Sequence, residues 1–264
     1  MIVREQPDGR ILIVNQTSHA LMAAAFCRHW GNREFARPEP YDAVLAAIAQ
    51  HDNGWYEWEE QPRLRADGYP MDFLHDDDPL AKVALWARGA ARAAAQHPYA
   101  GLLVGQHAVS LYVEYPTPGL PAAVQRGIDA FVATQRQQID DLRRAWQATE
   151  VAAGWLDEAR ITANTRLLRF GDSASLQVCI PWSQDRVISQ VPVDGTGTFT
   201  KVRMTFDDAT IAFDPWPYAV DSFEVDIWGR LLGERTFPNE SAYHAALAVA
   251  SWARLSWRVV NGQT

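Results

Sequence analysis

Apolar residues recur at helical spacing through most of the first two thirds of the chain, and at alternating spacing near its start and through much of its last third. Residues 1–14 read as two short strands joined through the Asp8-Gly9 turn, a hairpin. Thr17 or Ser18 is then placed to cap a helix running towards Trp30, with His19, Met22, Ala23 and Phe26 on one face. Residues 31–40 have turn chemistry and lead into a helix over 41–50. Its apolar stripe, Val44, Leu45 and Ile48, extends at the same spacing to His51 and Asp52, so two polar groups finish an apolar face.

From Gly54 to Asp78 aromatic residues alternate with Gly, Pro and acidic residues, which predicts an irregular loop able to wall a neighbouring site. Leu80, Val83, Ala84, Ala87, Ala91 and Ala94 predict a helix ending near His97-Pro98. Over 99–112 a second inward stripe contains His107, and 122–149 reads as a long amphipathic helix. A further helix over 157–179 carries Asp172 four residues after Leu168, again on an apolar side. Beyond Pro181 the pattern changes to strands at 198–206, 209–213 and 222–232, read as antiparallel. A helix over 242–252 and a last strand over 255–260 follow. An isolated hairpin is marginal in water, so the N-terminal one is expected to join that sheet. The expected class is α+β, with residues 1–16 as the joining hairpin, 17–180 as a helical body and 181–264 as a smaller β-rich part, the whole compatible with one domain.

Composition narrows the function. The chain has 264 residues, 48% hydrophobic and 21% charged, enough for a full core without disulfides. A formal charge of −8 argues against nucleic acid as the main partner, while leaving room for a local cationic pocket that holds a single phosphate. Cys27 and Cys179 each lack a neighbouring thiol, which suits a reducing cytoplasm and excludes a zinc ribbon or a CxxC centre. Apolar runs are too short for an export signal or a membrane span. Eleven tryptophans provide core and cleft walls.

His19, the His51-Asp52 pair, His107 and Asp172 fall on the inward sides of four expected helices. A buried carboxylate without a partner costs several kcal/mol, on the order of a whole domain's margin, so such groups find a cation, a metal or a hydrogen-bond network. Imidazoles and carboxylates that converge suit one or two ions of iron, manganese, zinc, cobalt or magnesium. The chain has no G-x-S-x-G elbow, Walker loop or H-E-x-x-H motif. Gly171-Asp172-Ser173 has no following Asp-x-x-His to make a serine esterase, and Gly195-Thr196-Gly197 reads as a turn.

The order His19, His51-Asp52, Asp172 resembles the four basic ligands of the HD superfamily of metal-dependent phosphohydrolases. More broadly, the opening Met-Ile-Val-Arg, Ser18-His19-Ala20, His29-Trp30-Gly31, His51-Asp52-Asn53-Gly54-Trp55, the run from Gly101 to His107 and 171–176 resemble a family of bacterial proteins known as a domain of unknown function. The resemblance implies an HD-like helical body and a metal centre of His19, His51, Asp52 and Asp172. His107 is the best match to the additional histidines of two-metal members, and His75 and His97 are weaker ones. Asp52 is the expected catalytic ligand, bridging if two ions are present, with Arg37, Asn53, Trp55, Trp58 and Arg166 expected around a small-molecule substrate. Three functions stay open: hydrolysis of a phosphoester, dioxygen chemistry of the HD di-iron type, and a non-catalytic binding or structural role.

Overall fold

The structure, a computed structural model, describes all residues except 77, 117, 147–153, 181, 183–184, 208 and 263–264. The expected hairpin is present as β1 (Ile2–Glu5) and β2 (Ile11–Val14), with Gly9 supplying the left-handed residue of the turn at φ 85°. Helix α1 (Gln16–Cys27) follows directly. Its start differs from expectation: neither Thr17 nor Ser18 caps it, and the Gln16 N–H instead donates to the Glu59 carboxylate at 2.5 Å. A carboxylate from a distant segment thus occupies the positive end of the helix.

α2 (Tyr41–Gln50) lies where the stripe placed it. The expected loop after it is partly ordered into a 3-10 turn (Asn53–Trp55) and the short helix α3 (Tyr56–Glu60). α4 (Pro79–Gln96), α5 (Pro98–Glu114) and α6 (Ala122–Trp146) follow, then α7 (Glu158–Cys179). The far end expected for α6, Thr149, falls outside the described residues. Pro79 and Pro98 sit in the first turns of α4 and α5, where a missing N–H costs nothing.

The remaining strands are β3 (Asp185–Pro192), β4 (Phe199–Phe206), β5 (Thr210–Asp214), β6 (Ser222–Leu232) and β7 (Ser251–Asn261), with α8 (Glu240–Val249) between the last two. They form one seven-stranded sheet in the order β1-β2-β6-β7-β5-β4-β3, which the N-terminal hairpin joins through β2 and β6. Three expectations are corrected here. β3 escaped the alternation rule because a bulge between Ile188 and Val191 spaces its buried residues by three instead of two. β7 inserts between β6 and β5 and runs parallel to β5, so the sheet is mixed. The helix expected to reach Trp252 ends at Val249, and Trp252 already pairs with Arg230 in the sheet.

The protein is a mixed α+β structure in which α1 and α7 lie against the sheet, while α2, α4, α5 and α6 build outward from them. One cluster of buried side chains runs from Val44 and Ile48 on α2 through Phe26 and Phe170 to Val202, Phe213 and Val259 in the sheet. Full burial of such an aromatic or branched side chain stabilises by about 1.5–3 kcal/mol, so the sheet fixes α1 and α7 as a platform. No helix among the described residues is long and apolar enough to cross a membrane.

Candidate metal centre

Two close approaches assemble the site. α1 and α7 touch at Gly171, where a Cβ would stand 2.8 Å from the Ala23 carbonyl oxygen and 3.0 Å from the Cys27 Sγ. That contact brings Ser175, one turn further on α7, within 2.8 Å of His19 Nδ1 on α1. His51 closes the end of α2, and Asp52 follows in the bridge region at φ −107° and ψ 15°. The chain then presses against α4 at Gly54, where a Cβ would lie 2.2 Å from the Leu85 carbonyl oxygen. Arg88 and Arg92 on α4 donate to the carbonyls of Gly54 (2.7 Å) and Asn53 (3.1 Å), so the His51-Asp52 step is anchored through its backbone.

His19, His51, Asp52, His107 and Asp172 meet in the interior. His19 Nε2 is 3.0 Å from Asp52 Oδ2 and 3.6 Å from Asp172 Oδ1, and His51 Nε2 is 3.6 Å from each of the same two oxygens. Asp172 turns its other oxygen, Oδ2, towards His107 Nε2 at 3.9 Å. Ligands about 2.1 Å from one ion stand about 3.0–3.4 Å apart, close to the spacing found. One nitrogen or oxygen from each of His19, His51 and Asp172 lies within 4.8 Å of the other two.

The hydrogen bonds behind the cluster decide which nitrogens face it. The His51 Nδ1–H donates to the Ile48 carbonyl at 2.7 Å, because a carbonyl only accepts, and this leaves Nε2 pointing inward. Ser175 Oγ has a single proton and two carbonyls in reach, Gly171 at 2.9 Å and Asp172 at 3.0 Å; once it donates to one of them it accepts from His19 Nδ1–H. Both imidazoles therefore turn Nε2 towards the carboxylates, the arrangement that outer hydrogen bonds give to metal-ligating histidines. His51 Nε2 is buried and has no hydrogen-bond partner among the described residues. An orphaned, buried nitrogen facing two carboxylates fits a cation: a divalent ion would give each group the partner it lacks.

Electrostatics agree with that reading. Burial alone would lower the His51 pKa, but the facing Asp52 and Asp172 outweigh it and raise it to about 9. Burial works to raise both carboxylates, yet His51 and His19 hold Asp52 below the usual carboxylate range, and His51, His107 and His19 do the same for Asp172. Burial is the largest influence on His107 and pushes it down to about 4, so this imidazole is neutral at pH 7. Without an ion a proton on His51 offsets part of the negative charge; a bound cation would take its place.

The other expected site residues are dispersed. Trp55 is buried and packs edge-on against Trp86, which in turn packs edge-on against His107, so Trp55 reaches the cluster through a second tryptophan. Trp58 packs on Trp55 and donates its Nε1–H to Asp76 at 2.7 Å. Asn53 donates to the Gln50 side chain at 3.0 Å. Arg37 is exposed with its guanidinium over the Tyr41 ring. Arg166 pairs with Glu114 at 3.0 Å in a cleft beside Asp172, described below. His75 pairs with Asp72 at 2.7 Å, and His97 accepts from the Tyr99 N–H at the start of α5. Sequence reasoning missed Ser175 and Trp86. Ser175 was recognisable as a polar residue one turn beyond Gly171, on the buried side of α7; nothing in the spacing of α4 distinguished Trp86.

No curated protein and no solved structure matches the chain. The sequence profile of a family described as a protein of unknown function, DUF3891, matches residues 1–234, a span that contains every residue of the cluster and all of the sheet except β7. On that coverage, the chain belongs to the DUF3891 family.

Proposed function

We propose that this protein is a metal-dependent hydrolase of the HD type, acting on a phosphoester of a small molecule or nucleotide. The observation that carries the proposal is the buried, unpartnered His51 Nε2 set 3.6 Å from both Asp52 Oδ2 and Asp172 Oδ1. His19, His51, Asp52 and Asp172 would hold the ion, on helices that keep their side chains in place. A divalent ion bound there supplies Lewis-acid polarisation and makes a coordinated water more acidic near neutral pH.

The protein's own groups have separate tasks. Ser175 and the Ile48 carbonyl orient the two imidazoles through their Nδ1 atoms. Asp52 and Asp172 provide the negative charge, and the surrounding apolar helices exclude bulk water from it. His107, neutral at pH 7, can serve as a further neutral ligand or accept a proton.

A second reading is favoured by one feature. Asp172 offers Oδ1 to His19 and His51 and Oδ2 to His107, so His107 and Asp172, where Asp52 was the expected shared ligand, would supply donors for a second ion. A two-ion centre is compatible with HD-type di-iron dioxygen chemistry as well as with hydrolysis. Metal analysis of protein purified without chelator or histidine tag, followed by phosphomonoester turnover and oxygen-consumption assays, separates the readings. Bound divalent metal with phosphate release supports the hydrolase; iron with oxygen uptake transfers the proposal to the oxygenase. Metal-free protein with full thermal stability overturns both.

A further inference from the structure

Asp172 is the most exposed member of the cluster: its side chain is 16% exposed while those of His19, His51, Asp52 and His107 are nearly sealed. The next residue, Ser173, lines a cleft of about 510 Å³ enclosed by α7, the end of α5 and β3. This cleft is lined by three arginines and one carboxylate: Arg166 and Arg169 pair with Glu114, and Arg186 lies over the Trp182 ring, although the chain as a whole carries a formal charge of −8. Arg166 and Arg169 both donate to the same oxygen of Glu114. Two guanidiniums share one carboxylate, so positive charge is left over.

The cleft and the metal centre are built on the same two helices. His107 and Glu114 are seven residues apart on α5, two turns and about 10.5 Å along one face. Arg169 and Asp172 are three apart on α7, hence neighbours. The β3 wall adds an independent sign of specialisation: Gln190 adopts φ 55°, left-handed for a residue with a side chain, at the bulge that borders the cleft. Such a conformation costs about 1–2 kcal/mol and recurs at ligand sites.

We propose that this cleft is the anion-recognition subsite of the same centre. It takes a phosphate or carboxylate group that the substrate carries away from the bond being cleaved, and Glu114 occupies the arginines until that group displaces it. The inference rests on the hydrolase reading for the reaction, but its test does not. In an Asp52→Asn background, which on that reading is stripped of its ion, inorganic phosphate and succinate are titrated into the full chain by calorimetry. Metal content and melting temperature are measured on the same samples. At least one anion should bind, about tenfold more weakly after Arg169→Ala or Arg166→Ala and several-fold more tightly after Glu114→Gln. The better ligand tells phosphate from carboxylate. Anion binding with Glu114 intact, weakened by Arg169→Ala or Arg166→Ala, is the decisive sign, since Glu114→Gln would free two guanidiniums even at a purely structural ion pair and serves as the check that Glu114 competes with the anion. If neither anion binds, or if Glu114→Gln fails to strengthen binding in a folded protein, the subsite is refuted. Metal retained in Asp52→Asn counts against the hydrolase reading alone.

Discussion

Two buried carboxylates in this protein lie in opposite circumstances. Asp76 is 6% exposed, and its side chain accepts from Trp58 Nε1 at 2.7 Å, from Arg63 Nη2 at 3.0 Å and from the Asp78 N–H at 3.2 Å. Its charge is compensated by a guanidinium and fixed donors, so it closes a structure. Asp52 is 4% exposed, its Oδ2 is 3.0 Å from His19 Nε2 and 3.6 Å from His51 Nε2, and the latter nitrogen has no hydrogen-bond partner among the described residues. Equal burial with unequal compensation is what makes the second a candidate metal site and the first not.

The largest effect expected from breaking this contrast is at Asp52. Asp52→Asn keeps the shape and removes the charge, and should abolish metal binding as read by elemental analysis; an unchanged metal content would defeat the ligand assignment. The equivalent change at the satisfied site, Asp76→Asn, should cost about 2–3 kcal/mol of stability in denaturant melts while bound metal stays at the parent level. A loss of metal there would dissolve the distinction between the two carboxylates. A smaller effect is expected for Ser175→Ala, which frees His19 to rotate: metal affinity should drop roughly 10–100-fold, measured by competition with a chromogenic chelator, with the fold intact.

The last effect concerns pH. In chelated protein His51 has a folded pKa of about 9 against an ordinary 6.5, so its contribution to stability is complete below pH 6.5 and is lost as pH rises through 9. The melting temperature of chelated protein should therefore fall over that window, by about 2–4 °C for each kcal/mol of this linkage that is lost in a chain of this size. Metal-loaded protein should not follow it, because the ion has already displaced the proton. His51→Gln in chelator should flatten the slope; a slope that survives this substitution would assign the titration to another group.

Much of the site was legible in the chain because a polar residue on an apolar stripe is a local pattern. His19 with Met22 and Phe26, His51-Asp52 after Ile48, and Asp172 after Leu168 each announce a buried polar group from spacing alone. Cleft residues were harder. Arg37 and Arg166 were equal candidates by composition, and packing alone laid Arg37 over Tyr41 and set Arg166 beside Glu114.

By itself the sequence determined the hairpin, the long helices and the buried sides of α1, α2, α5 and α7, since periodicity and turn chemistry act within a few residues; on α4 the expected stripe of Leu80, Ala84, Ala91 and Ala94 is exposed, and packing buries Leu85, Gly89, Ala90 and Ala93 instead. Tertiary structure alone decided the rest. It brought the four polar faces to one point, let Glu59 cap a helix forty-three residues away and slid β7 between β6 and β5. The physical reason is the same in each case: these contacts join residues remote along the chain, and their energy exists only once both partners leave water together.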